Sequence, residues 1–353
     1  MTKTTLLALL AAALGLLPSC SGDAGSPNGP LGAGADGGET ANGVALGGAP
    51  DDSPAGGRAE QGAGGVDLLG GAPAIDDAGG QGGTGGEASL GAGGADNAPT
   101  IRIATFNIQN FGPTKLGRPA VMAELAEIVR RHQFVAVQEI SDVSQKVPFG
   151  FLDLINADGA GYEMLLSPRS GQEPDDKTYQ EQYAFYYDAS VIEALSRGQL
   201  YDDSVQDYFV REPYVAQFEV IDGGFTFVAI TVHTQPDNTV AEIGHLEDVV
   251  AWAQDQYPDE DDFIILGDLN AGCSYASPDE LDLLGLRQND YMWIVPDAAD
   301  TNLAMSQCAY DRIIVTSETS TNYSGEWGID SSFTNTMVSD HWPVWGDFWA
   351  DER

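Results

Sequence analysis

The sequence predicts an α+β fold for residues 99–353, with two sheets packed together and helices outside them. Three observations lead there. Short β-prone runs recur from Ile101 to the carboxyl end, stretches with helical spacing lie between them, and the preceding quarter of the chain is nearly free of large apolar side chains. Only the later part can therefore build a core.

The first strand is IRIATF, which alternates from Ile101 and ends at Asn107. Residues 119–131 have helical spacing, with Pro119 suited to a first turn and Arg130 and Arg131 to the last. FVAVQE (134–139) reads as a buried strand, followed by strand runs at 183–187, 214–220, 225–233, 263–268, 311–315 and 344–348. A helix is predicted over 239–256, where Val240, Ile243, Val249, Val250, Trp252 and Ala253 share an apolar face.

Residues 1–20 carry one lysine and an apolar run too short to cross a bilayer, the pattern of a signal peptide. Leu17, Pro18, Ser19 and Cys20 resemble a bacterial lipobox, which implies lipidation of Cys20 and an exported, outer-surface protein; Pro18 is unusual there, so secretion without an anchor is the other reading. Residues 21–98 are rich in Gly, Ala, Asp and Pro, have no collagen or calcium-roll period, and read as a disordered linker. Such a tether spans about 50 Å root mean square.

With a net charge of -39, the chain repels polyanions over a Debye length of about 8 to 10 Å. A nucleic-acid substrate would have to be met through local positive charge or bound cations. The same acidity also suits a soluble exported surface. Three cysteines in an exported chain leave one unpaired unless it is modified, and Cys20 is the odd one. Cys273 and Cys308 are then either two free thiols or a disulfide contributing about 3 to 4 kcal/mol.

The chemistry lies where apolar runs end. FNIQNFG (106–112), VQEI (137–140), VHTQPD (232–237), LGDLNAGCSY (266–275), CAYDRIIV (308–315) and SDHWPV (339–344) place two histidines, several carboxylates and the asparagines Asn107 and Asn270 at strand ends. This set reads as metal-assisted phosphoester hydrolysis, because hard oxygen ligands suit Mg²⁺ (or Mn²⁺) and imidazoles supply acid–base catalysis. Glu139 ends a buried strand, where a carboxylate needs a metal or a partner. His132, near a helix end, and His245, on the polar side of a helix, read as surface or capping groups.

Together the six segments resemble the endonuclease/exonuclease/phosphatase superfamily and, within it, the deoxyribonuclease I-like branch. The resemblance implies a four-layer α/β/β/α sandwich, a disulfide between Cys273 and Cys308, and a monomer acting on double-stranded DNA without sequence specificity. It also implies that Glu139 is the main metal ligand, with Asn107 and Asp340 nearby. His233 would be paired with Glu181 and His341 with Asp311, while Asp268 and Asn270 would lie beneath the phosphate; either Asp268 or His233 would activate water. Arg211 and Tyr310 are implied phosphate contacts, and Tyr179 could stack on a sugar. Asp203, Asp207 and Glu212 match a structural Ca²⁺ loop, whereas in a second such loop, Asp300 to Ser306, Asn302 and Ala304 replace expected hydroxyl ligands.

The chain departs from the branch where groove-reading arginines are expected, with Gln109, Ser141 and Asp176 in their place. That leaves two further readings open: a phosphoesterase of the same fold acting on a lipid or small molecule, and a surface-tethered binding module with a decayed site.

Overall fold

A computed structural model describes Gly91–Ala92 and residues 98–171, 180–288 and 290–353. The signal peptide and lipobox with Cys20, the rest of the linker to residue 97, and Tyr179 and Asp176 lie outside the described residues.

The first sheet is built from β1 (Gly91–Ala92), β2 (Pro99–Phe111), β3 (Phe134–Ile140), β4 (Tyr162–Leu166) and β5 (Gln182–Asp188), with α1 (Pro113–Leu116), α2 (Pro119–Val129) and α3 (Lys146–Ile155) between them. The second holds β6 (Ile192–Ala194), β7 (Gln199–Leu200), β8 (Tyr214–Val220), β9 (Thr226–His233), β10 (Phe263–Asp268), β11 (Tyr291–Trp293) and β12 (Asp311–Thr316), with α4 (Thr239–Gly244), α5 (Leu246–Gln256) and α6 (Pro278–Leu281). The chain then returns to the first sheet as β13 (Tyr323–Ile329) and β14 (Val344–Trp349).

The sheets repeat one plan. Their orders are β13-β14-β2-β3-β5-β4 and β11-β12-β10-β9-β8-β6, with β1 added beside β2 and β7 beside β8. In each, the third and fourth strands run parallel and the other neighbours on the path antiparallel. Three apolar layers follow from strand alternation. Ile101, Ile103, Phe134, Phe185, Phe227 and Leu266 belong to the core between the sheets. The opposite parity of the first sheet (Ala104, Phe106, Val135, Val137) packs with Val121, Leu125 and Phe151 of α2 and α3. In the second sheet Val228, Ile230 and Ile265 pack with Ile243, Leu246 and Val249 of α4 and α5. This is the four-layer sandwich, two mixed sheets flanked by helices.

The expected helix over 239–256 is two helices, with His245 as the joint between Gly244 and Leu246. His132 is buried rather than at the surface, at 2% exposure. Its Nδ1 lies 3.0 Å from the Ile128 carbonyl near the end of α2, so the capping half of the expectation holds.

Candidate active site

The inward parity of five strands changes from apolar to polar near the same end of the sandwich. Along β2 the series Ile101, Ile103 leads to Thr105 and Asn107; along β3, Phe134 and Ala136 lead to Gln138; along β9, Phe227 and Ala229 lead to Thr231 and His233. On β10, Ile264 and Leu266 lead to Asp268, and on β12, Val315 and Ile313 lead back to Asp311. A buried polar tier lies beneath the reactive groups: Gln138 Nε2 donates to Thr105 Oγ1 and to Thr231 Oγ1, each at 2.9 Å, so one side chain ties the two sheets together.

Above that tier the sheets exchange partners. His233 of the second sheet has Nδ1 2.9 Å from Glu181 Oε2, just before β5 of the first. His341, just before β14 of the first sheet, has Nδ1 2.8 Å from Asp311 Oδ2 of the second. Between the two imidazoles stands Asp268, whose Oδ2 is 3.6 Å from His233 Nε2 and 3.7 Å from His341 Nε2. Asn107 Nδ2 donates to that Oδ2 at 2.8 Å and to Glu139 Oε1 at 2.9 Å, and the Asn270 backbone N–H donates to Asp268 Oδ1 at 2.9 Å. Glu139, His233, Asp268, Asn270, Asp311 and His341 thus lie in one connected cluster.

Local backbone makes this possible. At β3 the register shifts against both neighbours, and Glu139 takes φ 62. A non-glycine residue there is strained by about 1 kcal/mol or more. Asn110 and Asn270 also have positive φ (49 and 48), a conformation asparagine tolerates better. Gly267, in the GDLN segment, is needed for close approach, since a Cβ there would collide with the Val232 carbonyl of the parallel strand.

Burial opposes charge on His341, but the carboxylates of Asp311, Asp268 and Asp340 overcome it and hold the imidazolium up to about 10. His233 is raised in the same sense: burial lowers it, Glu181 and Asp268 raise it, and Arg211 counteracts them. For Asp268, burial favours the neutral acid, yet His341, His233 and the N–H groups of Asn270 and Asn107 carry it below the ordinary carboxylate range. Burial, with the Asp268 carboxylate, pushes Asp311 above the ordinary carboxylate range against the pull of His341 and of the Thr301 hydroxyl, which donates to Asp311 Oδ2 at 2.7 Å.

The expected metal ligands form an oxygen set. Glu139 Oε2 accepts from the Asn110 N–H at 2.6 Å, and Asp340 Oδ2 from Gln109 Nε2 at 2.6 Å. Asn107 Oδ1 and Asp340 Oδ1 are buried acceptors with no hydrogen-bond donor. Orphaned hard oxygens beside a strained glutamate fit a Mg²⁺-type ion. Among the described residues, the one group of three acidic or imidazole side chains with ligand atoms within 4.8 Å of one another is instead Asp268, Asp311 and His341. There His341 and Asp311 already bind each other, and a mixed nitrogen–oxygen set suits a transition metal better than Mg²⁺.

Other expected residues are placed unevenly. Arg211 is buried at 4% exposure, with Nε and Nη2 donating to the His233 and Thr234 carbonyls at 2.8 Å, so these two groups anchor the end of β9. The Tyr310 ring lies 5.9 Å from that of His341 and 5.5 Å from Tyr275. Asn270 Nδ2 donates to the Thr234 carbonyl at 3.0 Å. Cys273 and Cys308 are disulfide-bonded, with Cα atoms 5.6 Å apart. Asp203, Asp207 and Glu212 do not form a close three-ligand group: Asp203 is buried with Oδ2 on the Phe209 N–H, Asp207 is exposed and Glu212 half-buried. In the second loop Asn302 Nδ2 donates to the Ser306 carbonyl at 3.1 Å and to Asp300 Oδ1 at 3.4 Å, occupying oxygens a cation would use.

Several site residues were not anticipated. Ser339 Oγ donates to the Asn107 carbonyl at 2.7 Å and accepts from the His341 N–H at 3.1 Å. Lys115 is 5% exposed and reaches the Gln109 and Val338 carbonyls; burial lowers it to about 8 against the pull of Glu139 and Asp340. Strand parity could have found Gln138 and Thr231. Nothing in the sequence marks Lys115 as buried.

A two-sheet sandwich with oriented imidazoles flanking a central aspartate defines a class of hydrolase, and comparison agrees: residues 104–341 match the model of the Endonuclease/Exonuclease/phosphatase family. The chain is 33% identical to Deoxyribonuclease-1 of Rattus norvegicus over 268 residues, covering 70% of this chain and 91% of the rat protein. It is 32% identical to Deoxyribonuclease-1 of Homo sapiens over 268 residues, covering 70% and 92%. A solved endonuclease/exonuclease/phosphatase from Bacteroides vulgatus aligns with a TM-score of 0.49 and 19% identity over 70% of this chain and 98% of that one. The chain belongs to the Endonuclease/Exonuclease/phosphatase family, in its deoxyribonuclease I-like branch, and is a phosphoesterase.

Proposed function

We propose that the protein is an endonuclease that hydrolyses DNA to 5′-phosphate and 3′-hydroxyl ends with a divalent cation bound. The observation that carries this reading is the paired arrangement of His233 and His341, each held by a carboxylate from the opposite sheet and each turning Nε2 toward Asp268. Two oriented imidazoles on opposite sides of one point suit in-line displacement, in which one group takes a proton as the other gives one.

Glu181 accepts at His233 Nδ1 and so leaves Nε2 free to take the proton of an attacking water, with Asp268 aligning that water. The new bond forms between the water oxygen and phosphorus. As the bond from phosphorus to the 3′ oxygen breaks, His341, kept protonated by Asp311 and Asp268, gives that oxygen its Nε2 proton. Asn270 supports the phosphate with an amide proton not used on Thr234. A divalent cation held by Glu139, Asn107 and Asp340 would neutralise charge on the phosphoryl oxygens.

The amino-terminal quarter fits this reading as an export signal and a tether, lipidated at Cys20, for a catalytic domain over 99–353. Exposed Val143 and Met337 lie in the loops beside Glu139 and Asp340, exposed Met305 lies in the loop whose Leu303 N–H donates to the Asp340 carbonyl at 2.8 Å, and they favour a second reading, a lipid phosphoester at the same centre.

Supercoiled plasmid incubated with the purified protein and Mg²⁺ tests the choice. Nicking abolished by chelator and restored by Mg²⁺ is the expected result. Intact plasmid, with phosphate or phosphocholine released from lipid vesicles instead, would overturn the nuclease assignment in favour of the second reading.

A further inference from the structure

The Lys115 ammonium is buried in a chain whose net charge is -39, and among the described residues no carboxylate lies in direct ion-pair contact with it. It sits on α1, and Nζ donates to two carbonyls: Gln109 at 2.5 Å, near the end of β2, and Val338 at 2.8 Å, two residues before Asp340. Both carbonyls belong to segments that carry the oxygen set. Gln109 reaches Asp340 through its own side chain at 2.6 Å, and the next residue, Asn110, holds Glu139 through its backbone N–H at 2.6 Å. Glu139 and Asp340 are also the two carboxylates that favour the charged form of Lys115. A buried ammonium needs compensation of this kind, since desolvation is only partly offset by two neutral carbonyls.

We propose that Lys115 is a positioning residue that acts as a resident countercharge at the cation site: it ties the β2 end to the 338–340 loop, keeps Glu139 and Asp340 ordered without metal, and weakens divalent binding so that the ion stays exchangeable. The inference rests on the metal site proposed above. An ammonium and a divalent ion attracted by the same two carboxylates repel each other, so removing the lysine charge strengthens metal binding. A residue that was only a structural tie would act in the opposite direction, because loosening the two segments scatters the ligands and weakens binding. The sign of the change therefore separates the two roles.

Mn²⁺ alone is titrated calorimetrically into the full chain and into K115M, K115Q and E139Q. K115M removes the charge at similar volume; K115Q keeps an N–H donor for the carbonyls should K115M fail to fold. The expected outcome is at least about fivefold tighter Mn²⁺ binding in the lysine variants, with binding at least about tenfold weaker in E139Q. Unchanged or weaker binding in the lysine variants, with E139Q weakened, would overturn the countercharge role and leave the site intact. Binding insensitive to E139Q would overturn both.

Discussion

The polar tier beneath the site permits a quantitative test. In Q138M a side chain of similar length loses the two 2.9 Å bonds to Thr105 and Thr231, and both hydroxyls stay buried at 0% exposure. Each neutral hydrogen bond contributes about 0.5 to 1.5 kcal/mol net, and stranding a buried hydroxyl adds to the loss, so about 2 to 4 kcal/mol is expected. At about 2 to 4 °C per kcal/mol for a domain of this size, the melting temperature should fall by roughly 4 to 16 °C. The stronger part of the prediction is rescue. Replacing both threonines as well, in T105V/Q138M/T231V, removes the stranded groups and should restore most of the lost stability, because an apolar set of the same shape can be nearly neutral. Calorimetric melting of the three single variants and the triple variant gives the coupling. A triple variant as unstable as the sum of its singles would refute the account of the tier as a mutually satisfied unit.

His233→Ala and His341→Ala should each lose at least about 100-fold in plasmid nicking while melting as cooperatively as the parent; retained activity in both would remove the acid–base assignment. Replacing Cys273 and Cys308 by serine opens a loop with a sequence separation of 35, and the chain-entropy estimate gives a loss of about 4 kcal/mol, checked by denaturant melting. Burial lowers His132 from 6.5 to about 4. Because its folded value lies below the unfolded one, it contributes stability above pH 6.5 that is lost as pH falls through about 4, at most about 3 kcal/mol. His132→Gln should flatten that part of the stability–pH curve, and an unchanged curve would exclude the role.

The strands nearest the site were readable because they are both apolar and uninterrupted. The predicted runs 214–220 and 263–268 coincide with β8 and β10. Strand β13 was missed because YSGEWGI carries two glycines and is largely half-exposed, which removes the alternation. Helix α3 was missed because it follows a left-handed Gln145, is capped not from the N-cap position but by Asp142, whose Oδ2 accepts from the Val147 N–H at 2.8 Å, and contains Pro148. The single helix expected over 239–256 breaks at His245, whose ring stacks on Tyr208 at 3.6 Å, a tertiary contact with no local signature. Within the site, residues carrying a reactive group at a strand end were legible. Ser339, Thr301 and Lys115 act through backbone carbonyls or through another side chain, so only the three-dimensional arrangement reveals them.

Charge sets the last constraint on substrate binding. Among the described residues Arg102, Arg130, Arg131, Arg287, Arg312 and Arg353 are ion-paired to aspartates, and Arg211 lies near Glu181. Lys115 is buried, and Arg169 Nη2 donates to the Gln180 carbonyl. Arg118, Lys146 and Arg197 are exposed, and no ion pair among the described residues involves them. If all three reached phosphates, the slope of log K against log salt would be about -3, since each neutralised phosphate of duplex DNA contributes about -0.9. A protein making six to ten such contacts would give a slope of about -5 to -9. Fluorescence anisotropy of a labelled duplex with H233A, titrated across NaCl at fixed Mg²⁺, should therefore show weak binding and a shallow slope. A slope steeper than about -5 would mean that far more cations reach the DNA than this distribution provides, and the view of a divalent ion as the main bridge to the polyanion would have to be abandoned.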